Sequence, residues 1–143
     1  VNAYSDAAKA KIEAAGGIIQ NEKKEILFIN RLGKWDLPKG KIEENEHKRD
    51  AAAREIKEET GLTELQIKHK VGKTYHIYRL KNDTIFKTTH WYHFVCRSNQ
   101  VLTPQINEDI SEVRWFATKD IRIPVSNTYE NIRDILSTFF DTP

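Results

Sequence analysis

The sequence predicts an α/β domain in which a mixed β-sheet lies between helices. Three observations point there. Glu46 to Thr60 contains neither Gly nor Pro and is rich in Ala, Glu, Lys and Arg, all good helix formers. Ile132, Ile135, Leu136, Phe139 and Phe140 recur at i, i+3, i+4, i+7 and i+8, the spacing of one buried helical face. The run Thr84 to Arg97 carries apolar residues on both alternating faces, with Phe86, Tyr92 and Phe94 on one and Ile85, Trp91 and Val95 on the other. A sheet that is apolar on both faces needs cover on both.

The elements follow in order. Ala14 to Gln20 is small and β-branched, and Glu25 to Asn30 is apolar, so the polar Asn21 to Lys24 between them reads as a hairpin turn. Arg31 to Gly40 holds two glycines and Pro38 and reads as a loop. The first helix, Glu46 to Thr60, stops at Gly61. Val71 to Leu80 and Thr84 to Arg97 are aromatic and β-branched, and Lys81-Asn82-Asp83 joins them as a second hairpin. Glu112 to Phe116 reads as a short strand. Asn127 opens the last helix, with Glu130 at capping-box spacing.

The 143 residues fit one domain spanning 1–143, with an ordinary apolar fraction of 38% and a high charged fraction of 31%. No apolar run approaches the roughly 18 residues of a membrane span, and the polar, Ala-rich first ten residues lack the apolar region of a signal peptide. The lone Cys96 cannot form an internal disulfide, which implies a reducing, cytoplasmic setting. Its neighbours Phe94 and Val95 mark it as a buried structural thiol rather than a nucleophile. The chain starts at Val1 and contains no Met, so it reads as a piece of a longer protein with an N-terminal region before it.

The net charge of +2 argues against nucleic acid as a partner. Its distribution says more: residues 40–62 are acid-rich and residues 63–90 are base-rich, an arrangement suited to a cation beside a polyphosphate. Glu55, Glu58 and Glu59 span a helical arc of about 100°. Three carboxylates on one side repel one another, and a hard divalent cation removes that repulsion. Ala51 and Ala52, one turn earlier, would let a ligand approach the helix closely. A solvated acidic face is the other reading of the triple.

The surrounding residues decide between the two. Gly40, Glu46, Arg54, Glu55, Ile56, Glu58, Glu59, Gly61 and Leu62 fill every fixed position of G-x5-E-x7-R-E-U-x-E-E-x-G-U, where U is aliphatic. A chance match is on the order of 10⁻⁹ per start position. The chain therefore resembles the Nudix hydrolase superfamily over Gly40 to Leu62, and its element order extends the likeness over most of its length. The resemblance implies an α/β/α sandwich. It implies that Glu55, Glu58, Glu59 and the Gly40 carbonyl hold Mg²⁺, with Mn²⁺ as a substitute, and that an Arg54–Glu46 ion pair orients the glutamates. The implied reaction is in-line attack of water on a phosphoanhydride, with no protein nucleophile. A further acid outside the box acts as ligand or base in such enzymes. Glu108 and Asp109 are the candidates, with Glu108 preferred.

Gly33-Lys34-Trp35-Asp36-Leu37-Pro38-Lys39-Gly40 looks like the lead into the box in branches that hydrolyse dinucleoside polyphosphates and diphosphoinositol polyphosphates, and in some nucleoside triphosphate cleaners. Lys39 is expected on a phosphate oxygen, and Lys87 resembles a strand lysine that meets the phosphate chain in the same branch. Arg31 joins them as a substrate contact, and Trp35 either packs in the core or touches substrate. Tyr75, Tyr78, Trp91 and Tyr92 offer stacking surfaces but read mostly as core. His76, His90 and His93 lack metal-ligand spacing, and an intact glutamate set argues against zinc. The expected ligand is a small nucleotide or polyphosphate. A nucleoside triphosphate, ADP-ribose or a nucleotide sugar is the alternative substrate. A non-catalytic nucleotide sensor and an RNA-end pyrophosphohydrolase are the readings from other classes. The complete carboxylate set argues against the first and the near-neutral charge against the second. Oligomeric state has no signature in the sequence.

Overall fold

The computed structural model describes residues 8–141; the ends of the expected 1–143 domain lie outside them. In chain order the strands and helices are β1 (Ala8–Gln20), β2 (Ile26–Arg31), β3 (Lys34–Asp36), β4 (Lys39–Lys41), α1 (Lys48–Thr60), β5 (Gln66–Leu80), β6 (Asp83–Val95), β7 (Ile110–Phe116), α2 (Arg122–Val125) and α3 (Glu130–Asp141). Short 3-10 turns at Ile106–Glu108 and Thr118–Asp120 flank β7.

The strands form one mixed sheet in the order β3-β2-β1-β6-β5, with β4 paired to β1 and β7 to β2. β1 and β6 are parallel, and every other pair is antiparallel. Alternation along the strands divides the core in two. Ile18, Ile26, Phe28 and Trp91 face α3 and pack with Ile132, Ile135 and Leu136. Ala15, Ile19, Leu27 and Phe94 face α1 and pack with Ala51, Ala52 and Ile56. The sheet thus separates α1 from α3, as the two-faced hydrophobicity of β6 requires. Trp91 is fully buried, and its indole N–H donates to Thr74 Oγ1 at 2.8 Å.

Several boundaries differ from the sequence reading. The first helix begins at Lys48, not Glu46, with extended His47 as its N-cap. Glu46 stays outside because its carboxylate is engaged by the Glu43 N–H at 3.0 Å and by Arg54. The loop expected over Arg31 to Gly40 contains β3 and β4, both too short for periodicity to register. β5 begins at Gln66 and β7 at Ile110, each earlier than expected. The last helix begins at Glu130, not Asn127. Asn127 and Thr128 are used to pin β3: the Trp35 N–H donates to the Asn127 carbonyl at 3.0 Å and Thr128 Oγ1 donates to the Trp35 carbonyl at 2.6 Å. Glu130 makes an ion pair with Arg133 at 3.0 Å. Phe140, expected on the buried face, is 43% exposed. No helix among the described residues is long and apolar enough to cross a membrane.

α1 owes its position to small residues beneath it. A Cβ on Gly17 of β1 would lie 2.6 Å from Ile56 Cδ1 and 2.8 Å from Phe94 Cδ1. Gly17→Ala is therefore expected to destabilise the protein by ~1–3 kcal/mol through overpacking, read as a lower urea midpoint at unchanged slope. An unchanged midpoint would mean that α1 rides on the sheet more loosely than this packing implies.

Candidate active site

α1, the β3–β4 segment and the turn before β7 meet in one cleft of about 260 Å³. Its lining includes Arg31, Lys39, Gly40, Glu55, Glu58, Glu59, Lys87 and Glu108. A second cavity of about 250 Å³ shares Arg31, Lys39 and Lys87 with it and adds Asp36, His76, Thr89, Tyr129 and Asn131. Acidic and basic segments separated in sequence thus meet in one groove.

Arg54 organises the acidic end. Its Nε and Nη2 grip Glu46 at 2.8 and 2.9 Å, a bidentate pair that ties the segment before α1 to the helix. The Arg54 guanidinium beside it holds the Glu46 carboxyl down at about 2. Nη1 donates to Glu55 at 2.9 Å and to Glu58 at 3.3 Å, and Nη2 also donates to the Lys41 carbonyl at 3.1 Å. One side chain therefore fixes β4 and two of the three glutamates.

Glu59 is the most buried of the three, at 4% exposure. Arg31 Nη2 donates to its Oε2 at 2.6 Å and the Lys39 N–H to its Oε1 at 3.1 Å. Burial nonetheless dominates and pushes its pKa up to about 7, against the opposing pull of Arg31 and Lys39. Burial raises Glu55 as well, with Glu58 and Glu108 adding like-charge repulsion. Gly40 lies directly over Glu55, where an added Cβ would come within 2.0 Å of its carboxylate.

On the basic side, Lys39 Nζ is tied to Asp36 Oδ2 at 2.5 Å. Lys87 has no ion pair among the described residues, and burial lowers its pKa, with the Lys39 charge nearby adding to the effect. Arg31 spends Nη2 on Glu59 and leaves its buried Nε without a partner. Arg31, Lys39 and Lys87 line both cavities.

Among the described residues, no group of three His, Cys, Asp or Glu side chains is already gathered as a metal cage. Arg54 engages Glu55 and Glu58 in ion pairs, and Arg31 engages Glu59. The donor chemistry still fits a hard cation: Glu55, Glu58 and Glu59 supply oxygen only, and Gly40, having no side chain, lets the Glu55 carboxylate lie against β4.

Other expectations sort clearly. Glu108 lines the cleft, whereas Asp109, at φ 63°, lines a separate depression with Leu32 and Ile106. Trp35 takes the core alternative: it is 9% exposed and packs edge-on against Phe116 at 5.0 Å, so it does not line either cavity. Ala51 and Ala52 are fully buried against the sheet, and their small size serves helix docking rather than ligand access. Lys34 and Lys73, which with Lys39 and Lys87 make up the basic supply expected for a phosphate chain, line neither cavity; Lys34 sits over the Tyr129 ring at 4.8 Å. Burial pushes the half-buried Cys96 thiol up to about 11, which disfavours the thiolate. His90 lies buried between Lys70 and Glu13, and His93 meets Gln20 at 3.1 Å. Sequence reasoning missed Asp36, Thr89, Tyr129 and Asn131. Tyr129 and Asn131 were hidden inside an expected helix start, and Asp36 had only its place between Trp35 and Lys39 as a signal.

Similarity to known proteins agrees with this arrangement. The RNA pyrophosphohydrolase of Marinomonas sp. (strain MWYL1) is 39% identical over 61 residues, covering 41% of this chain and 37% of that protein. The 8-oxo-dGTP diphosphatase of Escherichia coli (strain K12) is 41% identical over 59 residues, covering 37% of this chain and 46% of that protein. The matched stretch therefore spans less than half the length of these curated relatives. An Ap4A hydrolase from C. elegans, in a binary complex, superposes with a TM-score of 0.68 at 24% identity, covering 90% of this chain and 95% of that one. The MutT protein of Methanosarcina mazei Go1 superposes with a TM-score of 0.69 at 25% identity, covering 92% and 94%. The NUDIX domain family model matches residues 10–139, and the chain belongs to that family.

Proposed function

We propose that this chain is a divalent-metal-dependent pyrophosphohydrolase that cuts a phosphoanhydride bond in a nucleoside or dinucleoside polyphosphate, acting in the cytoplasm. The reading rests on one observation: the carboxylates of Glu55, Glu58, Glu59 and Glu108 share a cleft with Arg31, Lys39 and Lys87, which continue into the next cavity. Glu55, Glu58, Glu59 and the Gly40 carbonyl would hold the cation, Mg²⁺ with Mn²⁺ as a substitute. Such a cation, when bound, draws charge from phosphoryl oxygens and acidifies water. Arg54 fixes the rotamers of Glu55 and Glu58. Lys87 and the Arg31 guanidinium bind phosphate oxygens, and Lys39 adds positive charge beside them. Glu108 accepts the proton of the attacking water as its oxygen bonds to phosphorus and the phosphoanhydride P–O bond breaks.

The test is a panel of dinucleoside polyphosphates, nucleoside triphosphates, nucleotide sugars, ADP-ribose and diphosphoinositol phosphates assayed with Mg²⁺. Substrates with three or more linked phosphates are expected to turn over faster than ADP-ribose. Lys87→Ala is expected to raise KM about tenfold for a tetraphosphate-linked dinucleotide, as loss of one charge-assisted contact implies, and much less for a nucleotide sugar. Faster turnover of ADP-ribose would move the substrate assignment to that class. A nucleoside triphosphate is the second reading, favoured by the likeness to the 8-oxo-dGTP diphosphatase. The likeness to an RNA pyrophosphohydrolase adds an RNA 5′-triphosphate end to the panel.

A further inference from the structure

Two acids are buried among the described residues, Asp36 at 2% exposure and Glu59 at 4%. Glu59 is a fixed position of the box, and Asp36 lies outside it, in the lead-in before Gly40. Asp36 Oδ1 accepts the Leu37 N–H at 2.8 Å, and its Oδ2 accepts from Lys39 Nζ at 2.5 Å. Lys39 therefore faces both acids: its ammonium goes to Asp36 and its peptide N–H goes to Glu59 Oε1 at 3.1 Å. The other oxygen of Glu59 already accepts from Arg31 at 2.6 Å.

Partial burial of an ammonium, here at 13% side-chain exposure, favours a nearby anion. Without the Asp36 charge, the nearest anion for Lys39 is Glu59, whose carboxylate already feels the lysine. Glu59 would then carry two cationic side chains, and a divalent cation would have to displace both. We propose that Asp36 is a positioning residue for the cation site: it tethers the Lys39 ammonium so that this charge stays off Glu59. The inference rests on Glu59 being a metal ligand, as read above. Asp36 itself acts only through Lys39.

The experiment is equilibrium binding of Mn²⁺ alone to the full chain, read by the EPR signal of free Mn²⁺, with thermal melting as a check on folding. Wild type is expected to bind and Glu59→Gln to bind far more weakly. If wild type binds no Mn²⁺, or Glu59→Gln binds as well as wild type, the cation-site reading fails and the inference goes with it. With that reading standing, Asp36→Asn is expected to weaken Mn²⁺ binding about tenfold, the usual scale for removing a group that orients a metal ligand. Lys39→Met keeps the length of the side chain and removes its charge. The double variant Asp36→Asn/Lys39→Met is expected to recover to within about threefold of Lys39→Met alone, because the charge that Asp36 restrains is gone. Unchanged binding in Asp36→Asn overturns the proposal. So does a double variant as weak as Asp36→Asn, since Asp36 would then act through the shape of the β3–β4 turn and not through the lysine.

Discussion

Glu59→Gln is expected to lower kcat by ~10³ or more while leaving the fold intact. The substitution keeps size and shape, and its amide oxygen can still accept the Lys39 N–H, now at 3.1 Å from Oε1. What it removes is the capacity of the most buried carboxylate of the cleft to carry a negative charge toward a cation. A loss of ~10³ corresponds to ~4 kcal/mol of transition-state stabilisation. Stability should change little, because burial already disfavours the charged form and holds the Glu59 pKa at about 7. The cost on the folding side is the Arg31 contact at 2.6 Å, where the new amide N–H₂ would meet a donor unless it turns. The check is kcat with Mg²⁺ for the best substrate of the panel, alongside thermal melting. Retention of more than about a tenth of the wild-type rate would show that Glu59 is not a ligand.

Much of the fold was legible because its signals are periodic. β6 displays apolar residues at a period of two on both faces, and that alone requires helices on both sides. α3 shows the helical period, and α1 was legible from its unbroken run of good helix formers. What was not legible is what tertiary contacts decide. β3 and β4 are three residues each, and they exist because they pair with β2 and β1. Asn127 has the chemistry of an N-cap, but its carbonyl and side chain are claimed by Trp35 and Gly33. The same division holds for the cleft. Gly40, Glu46, Arg54 and the three glutamates were readable because fixed spacing on one helix and its lead-in brings them together. Tyr129 and Asn131 come to the second cavity from the far end of the chain, and no local pattern links them to Lys87. Trp35 shows how strand geometry decides an alternative the sequence leaves open: Asp36 beside it lines the second cavity, but alternation turns the Trp35 ring into the core.

Gly40→Ala is expected to lower kcat by ~10² with a smaller change in KM, because it displaces a carboxylate without touching the cations that meet the phosphates. An alanine Cβ would stand 2.0 Å from the Glu55 carboxylate, well inside any contact distance. Something must move, and the neighbours limit what can. The Gly40 backbone is fixed by β4 pairing with Ala15 of β1, and the Ile42 N–H donates to the Glu13 carbonyl at 3.0 Å. Ala15 is itself fully buried, so β1 cannot yield. Glu55 is therefore the group that swings, breaking its 2.9 Å contact with Arg54. Arg54 keeps its bidentate grip on Glu46, so the loop stays attached and the protein should still fold. Steady-state kinetics of Gly40→Ala beside Lys87→Ala separate the two ends of the groove. The glycine variant should act mainly on kcat and the lysine variant mainly on KM. A Gly40→Ala enzyme with wild-type kcat would mean that Glu55 can take another rotamer and still hold the cation, removing it from the set of residues whose position matters.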